Sequence, residues 1–491
     1  MISAQKKYFA FLLISLLATI TVGFSSCNDD VFSTDPNNTL SFSTDTLTFD
    51  TVFTSLGSAT AKIMVYNNNN AALRIKRIAI KGGASSSFHI NVDGANSKNN
   101  EFEDIEIRAK DSLYIFVAIT VDPHSEKSPL FIEDLLSFET NGVIQKIQLE
   151  AFGQNIKKLW NTEIKSDSAL NDSLPYVVYG NLTVDSAKTL TLNPGCQLFF
   201  HNNANLVVYG NLKAVGTAEK PILMRGDRLD KIKFSTPFPY NNVAGQWGGV
   251  YLLWNGGNHV LEYVNMNSGY VGIYFSNDDR NNLPKLAITN CRIHNFLLYG
   301  LVVQNGNIST VNTEISNTSS YSVYLNGGSH EFIHCTIANY FNNSNVQPAS
   351  RDKKPAVMIM NLNRVAPMDT KFYNCVISGS SENEFSLATR FESMYNGTFK
   401  NCYIKTPNAL SLPQFTDKQI RWSAKNDTLF NSTKYDYEKN TYFNFVLDSV
   451  SPARGLADKA IARKYRFDLN GNSRMVDGAP DAGAYEWQPK K

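Results

Sequence analysis

The sequence predicts an all-β protein: an immunoglobulin-like β-sandwich followed by a parallel β-helix and a C-terminal capping segment. The phrase Asn290-Cys291-Arg292-Ile293 returns as Asn312-Thr313-Glu314-Ile315, His334-Cys335-Thr336-Ile337, Asn374-Cys375-Val376-Ile377 and Asn401-Cys402-Tyr403-Ile404. Its closing isoleucines are 22, 22, 40 and 27 residues apart, the length of a short solenoid turn with insertions in the longer steps. Each phrase alternates apolar with polar residues, the rhythm of a strand. A second short strand follows in Gly300–Val303, Ser322–Leu325 and Ala356–Ile359. No segment between them reads as a helix, and Ile, Val, Phe and Cys fill the inward slots, so a parallel β-helix fits better than a leucine-rich repeat. Asparagine suits the bend between strands because it tolerates a left-handed backbone and its amide can bond to the rung above.

The elements follow in order. Segment 1–26 carries Lys6 and Lys7 ahead of an apolar run from Phe9 to Val22, short for a membrane span and suited to a signal peptide. Residues 27–38 are polar and are expected to form a tether. From 39 to 155 about seven strands are expected, and in one of them Leu113, Ile115, Val117, Ile119 and Val121 share a face, as in a half-buried sandwich strand. Asn141-Gly142 reads as a tight hairpin. That density of strands suggests an immunoglobulin-like sandwich without the Cys and Trp pattern of antibody domains. The solenoid, 156–410, opens near Trp160. Segment 411–491 is expected to cap its last rung, whose open edge and apolar core otherwise face water.

Three stretches carry resemblances. Gly180-Asn181-Leu182-Thr183-Val184, Leu190 to Gly195, Leu206 to Gly210 and Leu212 to Gly216 resemble the entry turns of right-handed parallel β-helix proteins of the pectate-lyase-like superfamily. Ser451-Pro452-Ala453, Asp468 to Arg474 and Asp481 to Glu486 resemble the closing segment of the choice-of-anchor Q family of surface proteins. Phe24-Ser25-Ser26-Cys27 resembles a bacterial lipobox, with Phe24 in place of the usual Leu or Val, and Asn28-Asp29-Asp30 looks like the surface-export signal of lipoproteins in some Gram-negative anaerobes. The resemblance implies a diacylglycerol on Cys27 and a lipid-anchored protein of the outer membrane, exposed at the cell surface. The sandwich resembles spacer modules that precede repeats in bacterial surface proteins.

Charge excludes one class of partner. The chain has 46 Lys+Arg and 44 Asp+Glu, and loss of segment 1–26 removes two lysines and no acid, leaving no net charge. Nucleic-acid binding requires a concentrated basic surface, and the one dense run, Arg351-Asp352-Lys353-Lys354, contains its own acid. Cys291, Cys335, Cys375 and Cys402 share one phase of the repeat and are expected as an inward column of free thiols, with Cys196 a further core residue. No cysteine has a second Cys or His at zinc-ligand spacing, so no metal is assigned. Asp468, Asn470 and Asn472 alternate like half of a calcium loop without the distal Glu, which leaves calcium as the one cofactor open to discussion. A monomer is expected.

The superfamily resemblance brings polysaccharide lyases and glycoside hydrolases into view. Hydrolysis needs two carboxylates flanking the bond; lyases of this superfamily use a cationic base with a neutralised uronate. With Leu301, Val323 and Val357 facing inward, the outward row reads Tyr251, Tyr274, Val302, Tyr324 and Met358, beside Leu253, Ser276, Gln304, Asn326 and Met360. Neither row holds a carboxylate or a cation. Loops supply the remaining catalytic candidates, Asp278, Asp279, Arg280, Lys353 and Arg390. His294 is expected in a turn. The outward row offers aromatic surface instead: Tyr251, Tyr274 and Tyr324 in file, with Trp247, Trp254, Tyr270 and Tyr299 near in sequence. Tyrosine rings can lie against pyranose faces while their hydroxyls bond to sugar hydroxyls. The expected function is therefore a non-catalytic surface lipoprotein that binds glycan or another surface partner through Tyr251, Tyr274, Tyr324 and Trp254. The alternatives are a lyase or glycosidase using the loop residues, and an architectural stalk.

Overall fold

The computed structural model describes residues 31–489 apart from 124, 126–128, 233–237, 254–256, 278–284, 342–346, 348–349, 362–366, 390–391, 408–418, 426 and 436–442. The chain divides into two compact units, Met1–Gln154 and Asn155–Lys491.

The first unit is a sandwich of two five-stranded sheets. The expected alternation holds in Ser112–Ile119, where Leu113, Ile115, Val117 and Ile119 are buried, and in Ala61–Tyr66, where Ala61, Ile63 and Val65 face the core. Asn141 and Gly142 adopt φ of 52° and 76°, as a type I′ hairpin requires. Three strands were not legible beforehand: Ser41–Phe42, Ala95–Asn96 and Glu101–Ile107. The last carries four acids and buries only Ile107, so it has no apolar rhythm. It is an edge strand, and charge protects such an edge. The polar stretch expected as a tether is, from Val31 onward, laid on the sandwich. Phe32 bridges Ala72, the Arg74 guanidinium lies 4.3 Å from the Phe32 ring, and Asn141 Nδ2 donates to the Asp35 carbonyl at 3.0 Å. Residues 1–30, with the expected signal peptide and Cys27, lie outside the described residues.

The second unit is a parallel β-helix built from an 18-stranded and a 9-stranded sheet among the described residues. Each full rung contributes three strands. One rung runs through Lys285–Thr289, Arg292–Phe296 and Tyr299–Gln304, and the next repeats it in register as Asn307–Val311, Glu314–Thr318 and Val323–Asn326. The bends between the first and second strands are made by Asn290, Asn312, His334, Asn374 and Asn401, all with φ between 49° and 55°. Two rung-to-rung bonds follow: Asn312 Nδ2 donates to Asn290 Oδ1 at 2.6 Å, and Asn374 Nδ2 lies 2.9 Å from His334 Nε2. The isoleucines that close the repeated phrase are fully buried in a single core. Phe332, Phe372 and Phe399 stack through it at 4.6 and 5.0 Å.

The cysteine column is also inside, as free thiols. Each thiol donates to the carbonyl two residues back, Cys291 to Thr289 at 3.2 Å and Cys402 to Lys400 at 3.2 Å. Thr313 does the same with its hydroxyl, to Val311 at 2.8 Å, which explains why threonine replaces cysteine in that rung.

The described part of the C-terminal segment both covers the end of the coil and runs along its flank. Arg421–Ser423 continues the sheet beyond Tyr403–Lys405, and Ile420 and Trp422 pack on the end of the core. The remainder runs back along the outer face of the middle strands. Leu429, Phe430, Phe445, Leu447, Ala453, Leu469 and Tyr485 form a second core against the outward Ala338, Val376 and Tyr403. It is fastened at successive rungs: Asn401 Nδ2 donates to the Leu456 carbonyl, Ala484 N to Thr336 Oγ1 at 2.8 Å, Arg474 to Asn312 Oδ1 at 2.7 Å and Arg292 to Asn470 Oδ1 at 2.7 Å. The three phrases that resemble a closing segment converge here. Leu469 N donates to the Ala484 carbonyl, Ala482 N to the Ala453 carbonyl and Glu486 N to Asp468 Oδ2. The physical need is the same as for a cap, burial of apolar outward positions, but it is met along the flank.

Candidate functional site

The outward row expected from the repeat is present in register. Tyr251 pairs with Tyr274, Tyr274 with Val302, Val302 with Tyr324 and Tyr324 with Met358. Beside it Leu253, Ser276, Gln304, Asn326 and Met360 form the second row. Parallel pairing in register forces this: neighbouring rungs lie about 4.8 Å apart, and residues two apart share a face. Tyr251 and Tyr274 have ring centroids 5.9 Å apart. Gln304 Nε2 donates to the Tyr274 hydroxyl at 3.0 Å.

Two residues that sequence spacing did not assign complete the surface. Tyr321 stacks on Tyr299, 6.2 Å apart and within 7° of parallel, and meets Tyr324 at 5.7 Å. Lys354 Nζ lies 5.3 Å from the Tyr321 ring and 2.9 Å from Asp352 Oδ2. The result is five half-buried tyrosines, Tyr251, Tyr274, Tyr299, Tyr321 and Tyr324, with one lysine and two amides at hand. Partial burial holds the phenols of Tyr251 and Tyr324 above their usual range, so they act as neutral hydrogen-bonding groups. Tyr321 was hidden because it precedes its strand. Only its position at the bend two residues ahead of Val323 signals that it reaches the same face.

The other candidates separate. Trp254, Asp278, Asp279, Arg280 and Arg390 lie outside the described residues, and Lys353 is exposed. Trp247 is a core residue: it is fully buried, stacks on Phe200 at 4.3 Å and donates its Nε1–H to the Asn267 carbonyl at 2.8 Å. Arg351 faces inward, in a buried pair with Glu384, donating from Nη1 to Glu384 Oε1 at 2.9 Å and to Ser380 Oγ at 2.8 Å. It fixes the insertion to the rung and is not free to meet a ligand. His294 is not in a turn but within the strand Arg292–Phe296, beside the C-terminal segment. Asp468 organises a turn: Oδ1 accepts from Asn470 N and Asn472 N, and Oδ2 accepts from Asn472 Nδ2 and Glu486 N. Among the described residues no group of three His, Cys, Asp or Glu is placed to hold a metal ion.

No protein-family profile matches the chain. Over 53 residues it is 43% identical to Protein bark beetle of Drosophila melanogaster, a stretch that is 11% of this chain and 2% of that protein. Among solved structures, a family 123 glycoside hydrolase from Clostridium perfringens aligns over 24% of this chain and 26% of its own, at 9% identity and a TM-score of 0.17. The seventh PapD-like domain of human CEP192 aligns over 27% of this chain and 94% of its own, at 10% identity and the same TM-score.

Proposed function

We propose that this chain is a surface lipoprotein, anchored in the outer membrane through lipid on Cys27, that binds an extended glycan on its tyrosine surface without turning it over. The observation that carries the reading is the register of Tyr251, Tyr274 and Tyr324, joined by Tyr299 and Tyr321. Aromatic rings repeated at the step of a rung present stacking positions to a chain of sugar rings. Gln304, Asn326 and Lys354 supply the donors and acceptors that fix its orientation. The absence of any carboxylate from both outward rows supports binding over hydrolysis, which needs two carboxylates across the bond.

Incubation with acidic and neutral polysaccharides, followed by absorbance of unsaturated products and by reducing ends, tests the reading. Binding without turnover, weakened about tenfold by Tyr274→Ala and by Tyr324→Ala, is expected; one aromatic contact contributes on the order of 1 kcal/mol. Turnover abolished by Asp279→Ala and Arg280→Ala would replace this reading by that of a lyase or hydrolase. For the anchor, Cys27→Ala is expected to move the protein from the membrane fraction to the soluble one, and an unchanged distribution removes the lipid from the account.

A further inference from the structure

The first rungs of the coil carry a second aromatic file. Trp160, on the opening strand Lys157–Ile164, is 71% exposed, unusual for a residue type that is highly buried on average. Its indole stacks on Tyr179 of the next rung, 5.2 Å apart and within 20° of parallel, and no other described ring lies against it. Tyr179 meets the His201 ring at 4.7 Å, and His201 Nδ1 lies 2.7 Å from Asp227 Oδ2. Register makes this file as it makes the other: Trp160 pairs with Tyr179, and one position earlier Val178 pairs with Phe200 and Phe200 with Gly226. Leu159, Val178 and Phe200 pack in or against the core of the coil, so alternation turns the file outward.

The two files belong to one surface. The strands Lys157–Ile164 and Tyr176–Val184 run unbroken from the Trp160 file into the strand that carries the tyrosines on later rungs: Glu163 pairs with Thr183, Thr183 with Val207 and Val207 with Tyr251. From the rung of Trp160 to that of Tyr324 is six steps, about 29 Å at the spacing of stacked strands. An amide ladder stands between the files. Asn181 N donates to Asn161 Oδ1 at 3.2 Å, and Asn205 Nδ2 to Asn181 Oδ1 at 2.9 Å. Asn181, Asn205, Gly249, Val271 and Tyr299 share one register position, so the ladder leads onto the tyrosine surface. Burial and the Asp227 carboxylate push the Tyr179 phenol up to about 12, which keeps it a neutral hydrogen-bonding group. Neither file nor ladder contains a lysine or an arginine.

We propose that the glycan is neutral and longer than the tyrosine surface, and that one end of it stacks on Trp160 beside Tyr179 and His201. This deepens the reading of the tyrosine surface and rests on it. The indole offers a broad flat apolar face, and a pyranose has an apolar face with hydrogen-bonding edges. Asn161 and Asn181 supply amides at the border of the ring, and the His201–Asp227 pair supplies polar groups farther along. A protein partner would call for a broad apolar patch, whereas this ring is bordered by amides. An acidic glycan finds no cation in file or ladder, and a carboxylate at the end of the file.

Calorimetric titration of the whole mature protein with fragments of two and eight units from mannan, xylan, laminarin and polygalacturonate tests it. A fragment of eight units reaches both files and one of two units does not. In one neutral series the longer fragment is expected to bind about tenfold more tightly, the gain of one further aromatic contact. Trp160→Ala is expected to remove that gain while leaving the two-unit affinity and the melting temperature unchanged, and Trp160→Phe to restore part of it. Tyr274→Ala is expected to weaken both lengths. Affinity independent of length, a gain that survives Trp160→Ala, or a two-unit fragment lost with Trp160→Ala overturns this inference and leaves the tyrosine reading in place. Polygalacturonate fragments bound more tightly than every neutral series overturn the assignment of a neutral ligand. Fragments that bind indifferently to Tyr274→Ala, or no binding in any series, overturn the tyrosine reading and this inference together.

Discussion

Ion pairs in the sandwich lie on its surface, whereas the coil encloses one of its own. Arg74–Glu106 and Arg77–Glu101 have side chains about a third to a half exposed, above a core of apolar residues. In the coil unit the Arg351–Glu384 pair is buried, as are Arg474 and the Glu486 carboxyl 3.5 Å from it, with the asparagine bends and several histidines. The difference follows from repetition. A sandwich core is closed by two faces and offers a buried polar group few partners. A stacked coil gives every bend a copy of itself above and below, and the strip between coil and C-terminal segment is lined by backbone groups that accept and donate. Glu384 shows this directly: besides Arg351 it accepts from Ala356 N at 2.9 Å and Ser381 N at 2.7 Å.

The largest expected effect breaks that contrast at one residue. Glu384→Ala strands Arg351 in the interior and is expected to cost the coil about 3–5 kcal/mol, the usual result of removing half of a buried pair. Scanning calorimetry should show the coil transition fall while that of the sandwich stays in place. Arg77→Ala, which breaks a surface pair, is expected to leave both transitions unmoved. A coil transition indifferent to Glu384→Ala would remove the distinction.

A pH series sharpens the comparison. Burial lowers His259 and His330 to about 4, so the unfolded chain takes up protons near 6.5 that the coil refuses. Their contribution is complete above about 6.5 and is lost as pH falls toward 4. Burial raises the Glu486 carboxyl to about 8, the opposite case: the folded coil keeps a proton that the unfolded chain releases near 4.5, and that contribution is lost as pH rises through 8. His294 and His334 are lowered by burial in the same way, and Glu384 and Asp481 raised, so coil stability is expected to rise as pH climbs toward 6.5 and to fall between 6.5 and 8. A coil that gains stability steadily from pH 6.5 to 8.5 contradicts the assignment to Glu486.

The smallest effects concern the thiols. Burial pushes Cys196 and Cys291 up to about 12, and the sandwich has no cysteine. Thiol reagents at pH 8 are therefore expected to label those two residues only as the coil opens, which makes labelling a probe of that unit alone. Cys402→Thr copies the rung of Thr313 and is expected to shift the coil transition by less than about 1 kcal/mol. A larger loss would mean that the column needs sulfur and not merely a small donor.

Much of the coil was legible beforehand. Ile293, Ile315, Ile337, Ile377 and Ile404 mark its period, and fixing Leu301 and Val323 as inward also fixed Tyr251, Tyr274 and Tyr324 as outward. Asn290 and its successors were legible as bends because few side chains accept a left-handed backbone. The strand Glu101–Ile107 was not, because an acidic edge has no alternation to read. Tyr321 escaped for a related reason: it sits on a bend, where the period of two does not apply. The pairing of Arg351 with Glu384 crosses an insertion, and nothing in either local sequence announces it.

Periodicity by itself determined the rungs, the inward column and the identity of both outward files, because in-register stacking converts spacing along the chain into position in space. Which file is covered was decided only by the tertiary structure. The C-terminal segment has no repeat of its own, and its hold on the coil, from Arg292–Asn470 to Asn401–Leu456, consists of single contacts between residues far apart in the chain. Such contacts follow no period, and they set Arg292, His294 and Glu314 against the C-terminal segment.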